Sequence, residues 1–286
     1  MTTPSTPSTL RAADLPALEV LPTADAVATA AAETIARILT AAAAARGVAH
    51  WATTGGSAAP PIYRRLGAEP LRSSVAWEQV HTWWGDDRFV PSDHPLSNVM
   101  PLEQVLLDSG GDEAASGATG ADVEGSGSGV RMPSANLHPI PMSAALAAAG
   151  GVAWAASAYE MELRDVGPET NAAGDPMFDL IVLGVGPDGH VLSVFPGSPA
   201  WDAPGLCVGI AAPTHVEPHV ARVTLHPRLL AAARSILVVS TGAAKASVLG
   251  RAWTGDDVRE LPLRAARTGH ATWILDEAAA AELPRG

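Results

Sequence analysis

The chain has 286 residues and a formal net charge of −12 at pH 7, and it contains no block of lysine and arginine. That charge argues against a nucleic-acid or membrane-surface partner, while 47% apolar against 17% charged residues is typical of a globular enzyme rather than a disordered chain. The single cysteine, Cys207, excludes an intrachain disulfide and a cysteine-based zinc site.

The N-terminal part of the chain predicts a tail followed by a long helix. Residues 1–12 are predicted to be disordered, and the N-terminus contains no apolar core of a signal peptide. The Ala-rich stretch 23–46 predicts a helix, within which Glu33 and Arg37 argue against a membrane span. We therefore expect a soluble, cytoplasmic protein whose folded domain occupies residues 13–286.

Beyond that point, apolar runs of strand length alternate with segments of helical period. Strands are predicted at 48–53, 80–84, 178–185, 206–211, 222–225, 235–240 and 271–275. Helices are predicted at 23–46, 58–66, 98–107, 143–164, 227–233, 243–251 and 277–283. This alternation predicts an α/β fold, a single Rossmann-like domain with a mainly parallel sheet and helices on both faces. Ligands of such sheets bind beyond the carboxyl ends of the strands.

One segment, residues 108–130, does not follow the alternation. It is acidic and rich in Gly, Ser and Ala, and Val123 and Val130 are its only larger apolar residues. Because it has too little apolar surface to offset the entropy of ordering, we predict a flexible Gly/Ser-rich inserted loop.

The loop after the predicted strand 178–185 presents an acid–base pair. Gly184, Gly186 and Gly189 fit the dinucleotide pattern G-x-G-x-x-G, but Pro196 and Gly197 would end the long helix that this pattern requires. What remains is a tight glycine turn that exposes Asp188 and His190 beyond a strand end. An imidazole titrates near neutrality, so the pair suits general acid–base catalysis; a histidine that only stabilises the loop is the alternative.

Three other loops offer groups for an anion. Gly55, Gly56 and Ser57 lie between a strand and a helix, where backbone N–H groups can bind a phosphate or merely form a tight turn. Asp86, Asp87 and Arg88 follow another strand as a site or a surface ion-pair cluster. Lys245 is the only lysine in the chain and suits a phosphate, with a Schiff-base role as the alternative.

His215 and His219 have the spacing of a helical metal pair, but Pro213 and Pro218 argue against a helix there. We therefore predict no metal site.

Five blocks together resemble the 6-phosphogluconolactonase family, which belongs with the glucosamine-6-phosphate isomerases and deaminases. They occur in the family's order over about residues 20–283, and G-x-G-x-D-G-H followed by S-x-F-P-G is the most specific of them. One departure is Ala58, where the family commonly has a threonine whose hydroxyl is a possible phosphate contact. The blocks read TGGSAAPPIYRRL, WWGDDRFVPSDHPLSN, FDLIVLGVGPDGHVLSVFPGSP, ARVTLHPRLLAAARSILVVSTGAAK and LPLRAARTGHATWILDEAAA.

The resemblance implies hydrolysis of 6-phospho-D-glucono-1,5-lactone in the oxidative pentose phosphate pathway, with no metal or organic cofactor. His190 would be the general base that activates water, and Asp188 or Asp86 would orient it. The phosphate would bind to Gly55, Gly56, Ser57, Arg88 and Lys245. The only partner implied is the small phosphorylated sugar lactone.

Two rival functions stay open on the sequence. The first is an amino-sugar phosphate deaminase, whose D-G-H loop continues as I-A-F-N-E-P and so has a glutamate five residues after the histidine. In this chain that position is Phe195, which cannot transfer the proton needed for opening a sugar ring. The second is a non-catalytic sugar-phosphate-binding regulator, which would need the phosphate residues but not His190.

Overall fold

The computed structural model describes residues 15–107 and 129–284, and within these ranges a seven-stranded parallel sheet forms the centre of the fold. Its strands lie in the order β1-β10-β9-β6-β2-β3-β5, and every neighbouring pair is parallel. The strands are β1 (Ala17–Leu21), β2 (Ala49–Thr53), β3 (Val80–Trp84), β5 (Leu137–His138), β6 (Leu180–Leu183), β9 (Ile236–Ser240) and β10 (Ala271–Asp276). The predicted α/β class with a mainly parallel sheet is confirmed.

Helices of very different lengths connect the strands. The longest, α1, is capped by the Thr23 hydroxyl at its start and by Gly47, with a φ of 75°, at its end. The helices are α1 (Ala24–Arg46), α2 (Ala59–Leu66), α3 (Leu71–Ser74), α4 (Met100–Val105), α5 (Met142–Ala147), α6 (Gly151–Val166), α7 (Arg228–Ala232) and α8 (Ala246–Trp253).

The composition of α1 does not by itself exclude a membrane span. By length and composition α1 is apolar enough to cross a membrane, despite Glu33 and Arg37. Its packing gives the apolar residues another explanation, since one side of α1 is buried against β10, β2 and α2. The residues of this buried face are Val27, Ala28, Ala31, Ala32, Ile35, Ala36, Leu39, Ala42 and Ala43.

A second, antiparallel sheet contains two strands that were expected in the main sheet. The predicted strands 206–211 and 222–225 correspond to β7 (Cys207–Ile210) and β8 (Arg222–Leu225), which pair with each other and with β4 (Asp86–Arg88) in the order β4-β8-β7. Their apolar runs are as short as those of parallel strands, so the pattern does not reveal which sheet they join. This small sheet lies where β3 ends, and it brings β4 and β8 to the carboxyl edge of the main sheet.

Two predicted helices need correction, and other predictions concern residues that the structure does not describe. The single helix predicted at 143–164 is two helices, α5 and α6, separated at Gly150 and Gly151, of which Gly151 has a φ of 68°. The helix predicted at 277–283 is a series of turns in which the Asp276 carboxylate accepts from the backbone N–H of Ala279. Residues 1–12 and 108–128, including most of the predicted inserted loop, lie outside the described residues.

Candidate active site

Four loops at the carboxyl edge of the parallel sheet surround one cavity of about 450 Å³. They follow β2, β3, β6 and β9, and each begins where a largely buried strand reaches the edge of the sheet. Parallel strands present all their carboxyl ends on one side, so residues far apart in the chain meet there. The lining residues belong to the segments 54–58, 86–88, 184–192, 215–217 and 239–245, together with Asn98 and Arg222.

His190 and Asp188 form a hydrogen-bonded pair beside this cavity. His190 Nδ1 lies 2.5 Å from Asp188 Oδ1, and the His190 backbone N–H also donates to Oδ1, at 3.1 Å. The turn needs its glycines: a Cβ on Gly186 would lie 2.1 Å from His190 Nδ1, and Gly189 has a φ of 84°. The sequence from 186 to 190 therefore fixes the direction of the imidazole.

The charge state of Asp188 determines which nitrogen of His190 carries the proton. Burial raises the pKa of Asp188, but the hydrogen bonds and positive charge of His190, and a further hydrogen bond from His215, outweigh burial and hold that pKa below its usual value. An ionised carboxylate only accepts hydrogen bonds, so the proton sits on Nδ1 and the lone pair on Nε2. Within the described chain no protein group bonds to Nε2, and the ring lines the cavity.

Asp86 lies in the cavity wall but is engaged elsewhere. Its carboxylate accepts from the Ser193 hydroxyl, and Asn98 Nδ2 donates to its backbone oxygen at 2.8 Å. Of the two carboxylates predicted to orient His190, Asp188 is the one in contact with it. The neighbouring Asp87 points into the protein, where it accepts from Ser97 Oγ and from the Asn98 backbone N–H.

The groups predicted to bind an anion line the same cavity. Gly55, Gly56 and Ser57 lead from β2 into α2, and Gly55 is so close to Asn98 that a Cβ there would lie 1.8 Å from Asn98 Oδ1. Lys245 follows β9, and its side chain has no hydrogen-bond or ion-pair partner among the described residues. Burial lowers the pKa of Lys245, and the negative charge of Asp188 opposes that shift.

Two arginines in the wall have nitrogen atoms without partners. Arg88 Nη1 donates to Leu96 O and to Asn98 Oδ1, each at 2.9 Å, whereas its Nε is buried and unpaired within the described chain. Arg222 is paired in register with Arg88 across the small sheet, is 2% exposed, and likewise has a buried Nε with no partner there. An unsatisfied buried donor costs about 1–3 kcal/mol. Both arginines also line the cavity, where a guanidinium group is suited to an anionic ligand.

Sequence reasoning missed three residues of this site: Asn98, Arg222 and His215. Asn98 had been assigned only to the start of a helix, and Arg222 only to a strand. His215 does contact a site residue, because its Nε2 lies 3.0 Å from Asp188 Oδ2. The signal for Asn98 and Arg222 was available: a polar residue inside a buried stretch requires a partner.

Phe195 packs against several side chains of the candidate active site. Its side chain is 6% exposed, and its ring centroid lies 4.7 Å from that of His190 and 5.6 Å from that of His215. The Arg222 guanidinium lies over the same ring, 5.2 Å from its centroid. The phenyl ring thus packs against three polar side chains of the site.

A family model and a similar protein both relate this chain to the same family. The model of the family described as glucosamine-6-phosphate isomerases/6-phosphogluconolactonase matches residues 22–275. A 6-phosphogluconolactonase from Streptomyces coelicolor is 32% identical over 279 residues, which cover 95% of this chain and 96% of that protein.

Solved structures show the same similarity. The 6-phosphogluconolactonase of Trypanosoma brucei superposes with a TM-score of 0.76 at 26% identity, covering 95% of this chain and all of the other. A monomeric glucosamine-6-phosphate deaminase superposes with a TM-score of 0.70 at 14% identity over 93% of this chain and 99% of its own, which shows a common fold only. The fold by itself therefore does not separate a lactonase from a deaminase.

Proposed function

The chain belongs to the family of glucosamine-6-phosphate isomerases and 6-phosphogluconolactonases, and on that basis we propose that it hydrolyses 6-phospho-D-glucono-1,5-lactone to 6-phosphogluconate. One observation carries the proposal. The His190–Asp188 pair and a set of cationic and N–H donors face a single cavity. A phosphorylated lactone needs both, the first at its carbonyl and the second at its phosphate.

His190 supplies the acid–base chemistry. Nε2 takes a proton from water, whose oxygen forms a bond to the lactone carbonyl carbon, and the carbonyl becomes a tetrahedral oxyanion. Collapse of that intermediate breaks the bond to the ring oxygen, which takes the proton back from Nε2. Asp188 stabilises the imidazolium between these two steps.

The phosphate binds among the backbone N–H groups of residues 55–57 and the side chains of Arg88 and Lys245. The Arg222 guanidinium, which also lines the cavity, provides a further donor for oxygen atoms of the substrate. Each step uses protein groups and water, so we propose no metal and no organic cofactor. Since phosphorylated sugars do not cross membranes unaided, we place the enzyme in the cytoplasm, within the oxidative pentose phosphate pathway.

The deaminase alternative lacks a group for its first step. An amino sugar must open its ring before it loses ammonia, and the position where deaminases have a glutamate is Phe195 here. Because a phenyl ring transfers no proton, we expect ammonia release from glucosamine-6-phosphate at background level, also in a Phe195→Glu variant. Ammonia release as fast as lactone hydrolysis would overturn the proposed function.

The direct experiment adds purified protein to freshly generated 6-phosphogluconolactone and follows its loss against spontaneous hydrolysis. We expect enzyme-dependent hydrolysis that His190→Asn removes almost completely. A folded protein that binds the phosphate but does not hydrolyse the lactone would instead support the non-catalytic regulator.

A further inference from the structure

The Asp188 carboxylate is hydrogen-bonded to two imidazole rings, one at each of its oxygen atoms. Oδ1 bonds to Nδ1 of His190 at 2.5 Å, and Oδ2 bonds to Nε2 of His215 at 3.0 Å. His215 belongs to the loop between β7 and β8 and lines the cavity. A third residue fixes this arrangement, since the two imidazole rings both pack against Phe195.

We propose that His215 is a positioning residue that acts through Asp188 and sets how readily His190 takes up a proton. The catalytic consequence rests on the proposed function, in which His190 is the general base. His215 itself need not touch the substrate. Its effect passes through the carboxylate that it shares with the base.

The direction of the effect follows from that sharing. A hydrogen bond from His215 draws electron density toward Oδ2, which weakens the hold of Oδ1 on a protonated His190. When His215 is itself protonated, its positive charge opposes a second proton on His190. Both contributions keep His190 unprotonated, and therefore able to act as a base, at lower pH than Asp188 alone would allow.

The surrounding charges do not supply the same control. Arg222 and Lys245 also act on the Asp188 charge, but neither side chain is hydrogen-bonded to the Asp188 carboxylate. Asp86 is bonded to Ser193, and Glu217 pairs with His219 at 3.0 Å. Of these groups around Asp188, His215 is the one that is hydrogen-bonded to its carboxylate.

The loop also provides a matched control. His219 lies four positions after His215 and has a side chain 46% exposed, against 53% for His215, but it bonds to Glu217 instead of Asp188. The test set is therefore His215→Ala, His215→Gln and His219→Ala. Gln offers an N–H donor to Asp188 without a titratable charge, which separates the hydrogen bond from the charge.

Two measurements decide the proposal. The first is the NMR titration midpoint of the His190 imidazole, and the second is the acidic side of the pH profile of kcat/KM for the lactone. In His215→Ala we expect both to move upward by about 0.5 to 1 pH unit, with KM on the alkaline side unchanged. His215→Gln should move them less, and His219→Ala should leave them in place.

An unmoved His190 titration in both His215 variants would overturn the proposal, as would a higher KM without any pH shift, which would indicate direct substrate contact. The NMR titration does not depend on lactonase activity. If the protein failed to hydrolyse the lactone, the proposed function would fall, and the titration would still decide the coupling between the two histidines.

Discussion

At the scale of the residue, the hydrogen bond between His190 and Asp188 gives the two imidazole nitrogens different roles. Nδ1 donates to the carboxylate, and Nε2 is directed to the cavity with its lone pair. In the proposed mechanism the two residues therefore act together, because Asp188 contributes only through the His190 ring to which it is hydrogen-bonded.

The first prediction concerns that unit. His190→Asn should lower kcat by about 10²–10⁴-fold, the usual share of a general base. Asp188→Asn should lower it by a comparable factor, and the double variant should be hardly worse than His190→Asn, since residues that act together are not additive. Steady-state kinetics with thermal unfolding as the folding control provide the measurement. Additive losses would mean that the two residues act independently.

The second prediction concerns the phosphate. Lys245→Met and Arg88→Gln should each raise KM for the phosphorylated lactone by about 10- to 150-fold, the loss of one charge-assisted hydrogen bond. Unphosphorylated gluconolactone has no group for these cations, so its kcat/KM should change little. A similar loss for both substrates would remove Lys245 and Arg88 from phosphate binding.

At the scale of the element, the glycine turn after β6 positions His190, the proposed general base. Gly186→Ala would put a methyl group 2.1 Å from His190 Nδ1, so the imidazole must move. A displacement of about 1 Å can cost about 10²-fold in rate, and we expect a kcat loss of that size without a comparable loss of stability. In the matched variant Gly184→Ala, the nearest atom to the new methyl is Thr54 Oγ1 at 3.9 Å, and the loss should be far smaller. Equal losses in the two variants would show that the contact of the new methyl group with His190 is not what lowers the rate.

The elements also show what the sequence allows one to predict. Strands β2, β3, β6, β9 and β10 are buried apolar runs, and their predicted bounds lie within two residues of the observed ones. Edge strand β1 is largely exposed and β5 has two residues, so neither produces a recognisable apolar run.

The same reasoning explains which site residues could be predicted. Asp188, His190 and Lys245 follow predicted strands of the parallel sheet, and so their meeting at one edge could be expected. Arg222 and His215 come from the small antiparallel sheet and its connecting loop, whose position depends on tertiary packing. No local pattern encodes that packing.

At the scale of the whole molecule, an acidic protein that binds an anion needs its cations concentrated. The net charge is −12, yet Arg88, Arg222 and Lys245 all line the one cavity. Local charge and low solvent access determine the field at a site more than the net charge does. The negative remainder of the surface is compatible with the proposed anionic substrate for that reason.

The opposite, amino-terminal edge of the sheet contains a group of histidines. His50 is the second residue of β2 and is 7% exposed, and its Nδ1 accepts from the indole N–H of Trp83 at 3.2 Å. Its ring centroid lies 4.8 Å from that of His81, and Nδ1 of His81 lies 2.9 Å from Nε2 of His138. His50 and His81 are paired in register near the start of β2 and β3, at the end of these strands opposite the candidate active site.

This group predicts a loss of stability in acid. Burial, followed by the neighbouring His81 and His138, lowers the pKa of His50 from 6.5 to about 3. Between these values the unfolded chain binds a proton that the folded protein does not, so the free energy of unfolding falls as the pH falls from about 6.5 toward 3. The upper limit for one group is about 1.4 kcal/mol per pH unit.

The measurement compares urea unfolding of the wild type and His50→Asn at pH 7 and pH 5. Asn accepts a hydrogen bond from Trp83 but does not titrate, so the variant should lose about 1–2 kcal/mol less than the wild type over this interval. The difference between the proteins is the relevant quantity, because Asp87, whose pKa burial raises to about 6, changes stability in the opposite direction in both. An equal pH dependence in the two proteins would show that His50 is protonated in the fold without cost, and that the histidines at this edge do not limit stability in acid.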